Sequence, residues 1–283
     1  MRSEEWHLTE DVEEFLDRAG DFLRSRPALH NTPLTTIEKL RKPESGTEAT
    51  LLGRLETADG EVRAILYRPP TRRLGVTRLS PEQAGTLAAH LADLGLTLTG
   101  ITAEDGIADA FIEAWQRHTG ATAVLHQRWH LYRLGELTPP EPLPAGRGRR
   151  AGGPDLGDVI RMCGEFCESV GETPVPDSGN WAGTRFADRH FTFWETPDGT
   201  PASIAAATTM VAGMVRIDPV YTPAPLRGRG YAAAVTAEIS RTALAAGATD
   251  VVLYTDPANP TSNALYRRLG YDRITDLHGY HFT

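Results

Sequence analysis

The residues most able to do chemistry lie in one stretch, Val220-Tyr221-Thr222-Pro223-Ala224-Pro225-Leu226-Arg227-Gly228-Arg229-Gly230-Tyr231-Ala232. A β-rich segment ends, a Pro-rich turn follows, and a Gly-rich loop opens an Ala-rich helical segment. Such a loop is an anion cradle. Glycine lets backbone come close to a phosphate without a Cβ in the way. The first N–H groups of a helix have no partner inside the helix, and its dipole favours negative charge there. Arg227 and Arg229 add positive charge. A dinucleotide fingerprint needs GxGxxG and a nucleotide-binding P-loop needs Gly-Lys-Ser/Thr; neither is present. A cradle built of backbone donors needs no metal.

A second chemical stretch follows after one predicted helix and one predicted strand: Asn259-Pro260-Thr261-Ser262-Asn263-Ala264-Leu265-Tyr266-Arg267-Arg268-Leu269-Gly270-Tyr271. Arg227-Gly228-Arg229-Gly230-Tyr231-Ala232 resembles the acyl-CoA loop of the GNAT N-acetyltransferases, Gln/Arg-x-x-Gly-x-Gly/Ala. The Asn259 to Tyr266 spacing with Gly270-Tyr271 is similar to the second signature of that superfamily, and the two occur in the family's order. The resemblance covers roughly residues 155–283. It looks most like bacterial tandem proteins with a C-terminal catalytic domain behind a diverged N-terminal partner.

The resemblance implies roles by position. Acetyl-CoA would be the acyl donor, with its pyrophosphate on the amides of Arg227, Gly228, Arg229, Gly230, Tyr231 and Ala232. The strand Arg216–Tyr221 would part from its neighbour and pair with the pantetheine arm. Val220 and Thr222 at its end count among the cofactor-binding residues. Asn259 would bond the pantetheine amides, and Tyr266 would protonate the departing thiolate. That transfer is chemically reasonable, since a thiol has a pKa of about 8.5 and a phenol about 10. The acceptor amine must lose a proton. Asp218, on the strand before the cradle and sharing a face with Arg216 by period two, is the best candidate base. It reads equally as an acceptor-specificity residue or as a salt-bridged surface carboxylate. Glu195 and His190 are weaker candidates, and a water chain would need no base.

Cys163 and Cys167 lie four apart on a predicted helix and so share a face. With no second Cys pair and no adjacent His they read as packed thiols rather than metal ligands or nucleophiles. Two cysteines make no disulfide framework, which fits a reducing cytoplasm. The opening MRSEEWHLTEDVEEFLDRAG lacks the basic start and apolar run of a signal peptide, and no run is apolar and long enough to span a membrane. The formal net charge of −8 argues against nucleic-acid or membrane-surface binding. A small-molecule amine is the expected acceptor.

These residues need a frame. The Pro/Gly-rich run TPPEPLPAGRGRRAGGPD carries no apolar periodicity and reads as a linker. The expected organisation is a domain over 1–138, a linker over 139–154 and a catalytic domain over 155–283. Both halves repeat one order. A helix (Thr9–Arg24; Gly157–Val170) precedes a hairpin around Ala58-Asp59-Gly60 or Pro197-Asp198-Gly199. An Ala-rich helix follows (Pro81–Leu94; Gly230–Ala246), then a strand (Thr97–Ile101; Asp250–Tyr254), a helix (Ile107–Arg117; Thr261–Leu269) and a final strand at Leu131-Tyr132 or Tyr280-His281-Phe282. The predicted fold is α/β, two tandem GNAT-like domains, each a mixed, mostly antiparallel twisted sheet flanked by helices. In the first half the cradle position reads Arg78-Leu79-Ser80-Pro81-Glu82-Gln83-Ala84-Gly85, without GxG, and Phe111 and Trp115 stand on the helix matching that of Tyr266. This half therefore reads as a degenerate copy that binds no CoA and walls the acceptor. Trp115, Trp129, His130 and Tyr132 read better as core than as lining.

An acetyl-CoA-dependent transferase acting by direct transfer in a ternary complex is the reading that follows. Its rivals are a non-catalytic acyl-CoA-binding protein and an acetyltransferase of protein lysines or N-termini.

Overall fold

The computed structural model describes residues 4–41, 50–69, 72–172, 181 and 184–283. The chain forms two compact units, one of Met1–Leu131 with Ile274–Thr283, the other of Tyr132–Arg273.

The first unit runs β1 (Glu4–Thr9), α1 (Val12–Ser25), α2 (Asn31–Leu40), β2 (Leu51–Thr57), β3 (Val62–Arg68), β4 (Leu74–Val76), α3 (Pro81–Asp93), β5 (Gly100–Glu104), α4 (Ile107–Thr119) and most of β6 (Ala123–Leu134). Helix α1 begins where Asp11 accepts the N–H groups of Glu13 and Glu14 at 2.9 and 3.0 Å, which satisfies two of the orphan donors of a helix start. β1, β2 and β3 pair antiparallel in sequence, and β4 lies parallel to β5. Leu66, Leu74, Leu87, Leu91, Ile101, Phe111 and Trp115 form the core between this sheet and helices α3 and α4.

The second unit takes in the end of β6, then β7 (Arg147–Arg150), α5 (Leu156–Ser169), β8 (His190–Glu195), β9 (Pro201–Ala207), β10 (Met214–Tyr221), α6 (Tyr231–Ala245), β11 (Asp250–Thr255), α7 (Pro260–Arg268) and the start of β12 (Tyr271–Phe282). Its strands follow the order β6-β11-β10-β9-β8-β7. β10 and β11 are parallel, while β7, β8, β9 and β10 pair antiparallel. One face carries α6 and α7 on a core with Val215, Ile217, Val235, Leu253, Tyr266 and Tyr271. The other carries α5 on Met162, Cys163, Phe186, Phe191, Phe193 and Ile204.

The mixed, mostly antiparallel sheet flanked by helices is the one expected, with four differences. Strand β7 lies inside the segment read as a linker. Arg147-Gly148-Arg149-Arg150 has no apolar alternation, so its period gives no signal. It is held by its ladder to β8 and by the Glu195 carboxylate, which accepts from Arg149 at 2.8 Å and from Arg147 at 3.2 Å. Arg149 reaches on to Asp155 at 2.8 Å, and these hydrogen bonds hold Asp155 down to about 2. The expected strand Thr97–Ile101 begins later, at Gly100, whose φ of +155° is open to glycine. β1 and α2 have no counterpart in the sequence reading.

The fourth difference is in the ends. β12 is 12 residues long, and its last part pairs with β5 from Leu277↔Glu104 to His281↔Gly100. The chain's final residues thus complete the first unit, while Tyr132–Leu134 belong to the second. A division at 138/155 therefore cuts a strand from each unit.

Gly270 marks a close approach in the second unit. Its φ is +93°, a Cβ there would stand 1.8 Å from the Glu136 carbonyl oxygen, and its own carbonyl accepts the Gly135 N–H at 2.9 Å. Both backbone angle and space require glycine. Gly270→Ala is expected to destabilise the protein by on the order of 3 kcal/mol, measured as a lowered midpoint in urea unfolding. An unchanged midpoint would refute this account of the Gly270-Tyr271 ending.

Candidate acyl-donor and acceptor site

The site begins where β10 leaves β11. The parallel pairing runs from Met214↔Asp250 to Ile217↔Leu253 and ends there. On its other edge β10 pairs with β9 at Ile217↔Ala207 and resumes at Val220↔Ala205, so Asp218 and Pro219 sit in a bulge, with a cis peptide bond between them. A bulge bends its strand and increases the local twist. Residues 218–221 therefore turn backbone groups that β11 does not use toward a gap. Thr222, just past the strand, is buried, with its hydroxyl 2.8 Å from that of Ser203, which also donates to the Tyr221 carbonyl at 2.9 Å.

The loop that follows is shaped by its own arginines. Arg227 Nε donates to the Thr222 carbonyl at 3.0 Å and its guanidinium lies 5.8 Å from the centre of the Tyr221 ring. Arg229 Nη2 reaches the Pro225 carbonyl at 3.4 Å. Both arginines clasp the turn itself, a structural use the sequence did not suggest. Gly228 and Gly230 have φ of +76° and +82°. A Cβ at Gly228 would meet nothing within 4 Å, and at Gly230 nothing nearer than Pro144 at 3.8 Å. The glycines are there for backbone angle, and the space before them is open. Gly230 is the N-cap of α6 and supplies no side-chain cap. The first-turn amides of Tyr231, Ala232 and Ala233 cannot bond within the helix and are left for an anion.

The corresponding helix of the first unit is closed. Ser80 accepts the Gln83 N–H at 3.1 Å, and the Gln83 side chain accepts the Ser80 N–H at 2.8 Å. This capping box, with Pro81 at the first turn, uses the donors that a phosphate would need. The missing GxG and the acidic Glu82 thus have a concrete structural counterpart.

After β11 the chain turns through Asp256 to Asn259 into α7. Asn259 is the N-cap, its side-chain oxygen accepting the Ser262 N–H at 3.1 Å. That oxygen serves the helix, which leaves the amide nitrogen for any ligand role. The organising residue is Asn263, which the sequence reading passed over. Buried, it accepts from Thr255 at 2.6 Å and from Tyr132 at 3.2 Å, and donates to the carbonyls of Asp256 and Asn259 at 2.9 and 2.8 Å. It fixes the end of β11 against the start of α7. Only its place one turn after an N-cap asparagine hinted at this.

Tyr266 is buried in the α6/α7-side core, its ring edge-on to Tyr271 with centroids 6.0 Å apart. The two phenols differ. The Tyr271 hydroxyl is 2.7 Å from Ser240 Oγ, whereas the Tyr266 hydroxyl has no hydrogen-bond partner among the described residues. Burial, and secondarily the charge of Asp218, raise the Tyr266 phenol well above its usual range. It is therefore a protonated donor at neutral pH.

Asp218 lies on the other face of the sheet. Its Oδ2 accepts from Arg185 Nη1 at 2.8 Å and Arg189 Nη2 at 3.3 Å. The ion-pair alternative of the sequence reading is thus realised, with Arg185 and Arg189 as partners. These two arginines lie in an irregular stretch, 184–189, where no periodicity marks them. The other base candidates are accounted for by structure: Glu195 is tied to Arg147 and Arg149, and exposed His190 stands beside Arg150 at 3.3 Å. Trp115 is core of the first unit, Tyr132 core of the second, and His130 is 2.8 Å from Asp276. No group of acids, histidines and cysteines suited to a metal ion occurs among the described residues, and no described helix is long and apolar enough to cross a membrane.

Residues 203–278 match the family model described as FR47-like protein. A comparison with curated proteins found no match. Among solved structures, a GCN5-related N-acetyltransferase from Sphaerobacter thermophilus is similar over 97% of this chain and 94% of its own, at 18% identity and a TM-score of 0.61. A GNAT-family acetyltransferase from Colwellia psychrerythraea matches over 99% and 100%, at 11% identity and 0.59. A tandem GNAT protein from the clavulanic acid biosynthesis pathway matches over 98% of both chains, at 15% identity and 0.55. At such identities the likeness is one of fold.

The cysteines give a direct check on the packing beside this site. Burial pushes the Cys163 thiol up to about 12 and raises that of Cys167, so neither forms much thiolate at pH 8. Iodoacetamide at pH 8 is expected to leave both unmodified in the native protein and to label both in urea, read by mass spectrometry. Rapid native labelling would contradict the packing of α5.

Proposed function

We propose, from the premise that the chain has the tandem fold of the GCN5-related N-acetyltransferases, that its second unit transfers an acetyl group from acetyl-CoA to an amine of a small molecule. The observation that carries this reading is the pairing of an uncapped, glycine-fronted helix start at Gly230 with a strand that parts from its neighbour after Ile217. An anion seat and an open strand edge side by side suit a ligand with a pyrophosphate at one end and amides along an arm.

In this reading the amides around Gly228 to Ala232 hold the pyrophosphate, and the open edge of residues 218–221 takes the amide-bearing arm as an added strand. Val220 and Thr222 line its course, and the Asn259 amide nitrogen is a donor to it. The amine attacks the thioester carbonyl, the new N–C bond forms as the C–S bond breaks, and the thiolate takes a proton from Tyr266. A phenol kept protonated by burial and lacking a partner among the described residues is suited to that step. Holding both substrates together lowers the entropic part of the barrier. Asp218 faces the gap from the α5 side, where the acceptor approaches. The free Tyr266 hydroxyl favours an enzyme over a non-catalytic acyl-CoA binder. The N-terminal unit, its α3 helix capped, binds no CoA in this account.

Two variants test the assignment. Gly230→Glu, which places a carboxylate in the seat, is expected to abolish acetyl-CoA binding in calorimetry while circular dichroism shows the fold retained; unchanged affinity would remove the cradle. Tyr266→Phe is expected to keep acetyl-CoA affinity and lower turnover by roughly 10²–10⁴-fold. Unimpaired release of CoA thiol in that variant would assign the proton to water.

A further inference from the structure

Arg185, Arg189 and Glu172 form a cluster with Asp218. Arg189 is 4% exposed. Its Nη2 reaches Asp218, and its Nε donates to the Arg185 carbonyl at 3.3 Å. Its Nη1 is buried and has no hydrogen-bond partner among the described residues. A buried guanidinium nitrogen without an acceptor is costly, and native proteins rarely leave one so. Burial also lowers the Arg189 pKa to about 10, against the pull of Asp218.

Asp218 shows the complementary vacancy. Both guanidiniums engage Oδ2, and Oδ1 has no partner among the described residues. The Asp218 side chain is 25% exposed. Arg185 braces the arrangement, stacked over Phe186 at 4.4 Å, with Nη1 on Asp218 and Nη2 on Glu172 at 2.7 Å. The four groups balance, two carboxylates against two guanidiniums, and the further charges acting on Arg189, Arg216 and Asp188, balance as well. A cluster with one open anionic oxygen, one unmet cationic donor and no net charge matches a ligand of the same kind: one positive group, one negative group close by, and no net charge.

Resting on the acetyl-transfer reading above, we infer that the acceptor is a zwitterionic amino acid, its ammonium docking on Asp218 Oδ1 and its carboxylate on Arg189 with Arg185. Docking in this way sets the amine at the gap between β10 and β11, opposite Tyr266. The docked ammonium gives up a proton to become the attacking amine. Asp218 orients it, and that proton leaves to water. Seating the carboxylate requires the groups covering Arg189 Nη1 to move. A plain amine would fill only half of the arrangement and leave the buried donor unmet.

The test uses the full-length protein. Acetyl-CoA binding is measured first by calorimetry. CoA-thiol release is then followed with the twenty protein amino acids and, for each, the amine that lacks its carboxylate and the methyl ester that neutralises it. At least one amino acid is expected to exceed its amine and its ester in kcat/KM by between about 10- and 100-fold, the range for one hydrogen bond to a charged group. Arg189→Lys is expected to bring that ratio toward one, and Asp218→Asn to raise KM for amino acid and amine alike. The comparison within the native protein stands even if the arginine variant fails to fold. Equal kcat/KM for amino acid and amine overturns the inference. So does acetyl-CoA binding with no amino acid turned over. Absence of acetyl-CoA binding would instead defeat the acetyl-transfer reading itself, and the inference with it.

Discussion

The candidate site depends on one constraint, that β10 stops pairing with β11 after Ile217↔Leu253. A strand inside a sheet normally has both edges satisfied, because unpaired backbone groups away from water are costly. Here the bulge at Asp218 and Pro219 shifts the register with β9 while the ladder to β11 is given up. Pro219 has no N–H to offer, so the loss of pairing costs less at that position. The candidate site residues are arranged around the point where that ladder ends. The anion seat lies beside it, Tyr266 on one face and Asp218 on the other.

The two units show how little separates a cradle from a sealed helix start. In both, a strand is followed by an Ala-rich helix on the sheet. In the first unit Ser80 and Gln83 close the helix with side chains. In the second, Gly230 offers none, and the left-handed backbone at Gly228 and Gly230 keeps the approach clear. A cap typically contributes about 1 kcal/mol, so the start of α6 forgoes stability that the start of α3 has. The surrounding polar network offsets part of that loss. The side-chain hydrogen bonds of Asn263 and the Ser203–Thr222 pair tie down the ends of β10 and β11.

Short-range order accounts for what could be read from the chain alone. The hairpins at Gly60 and Gly199, the α3 and α6 helices, the cradle loop and the Asn259 to Tyr266 helix are each encoded within a dozen residues, by turn chemistry, caps and apolar period. The same holds for the fold class, since the order of such elements limits the topologies open to them. The loss of the cradle in the first half was visible in Ser80-Pro81-Glu82-Gln83, although the reciprocal cap that closes it was not.

What the tertiary structure decided is long-range pairing. The ladders of β12 with β5, and the placing of Tyr132–Leu134 in the second unit, join residues more than 100 positions apart, and no local pattern specifies them. Strand β7 has no apolar face to announce it and exists because Glu195 and the β8 edge receive it. The partners of Asp218 come from a stretch with no period, 33 and 29 residues away. Sequence thus singled out Gly230, Tyr266 and Asp218 as candidates for the chemistry. Only the folded chain decided that Arg227 and Arg229 clasp their own loop, that Asn259 caps a helix, and that Asp218 presents one oxygen with the other held. Those outcomes depend on which donor happens to lie within 3 Å, a property of packing and not of order along the chain.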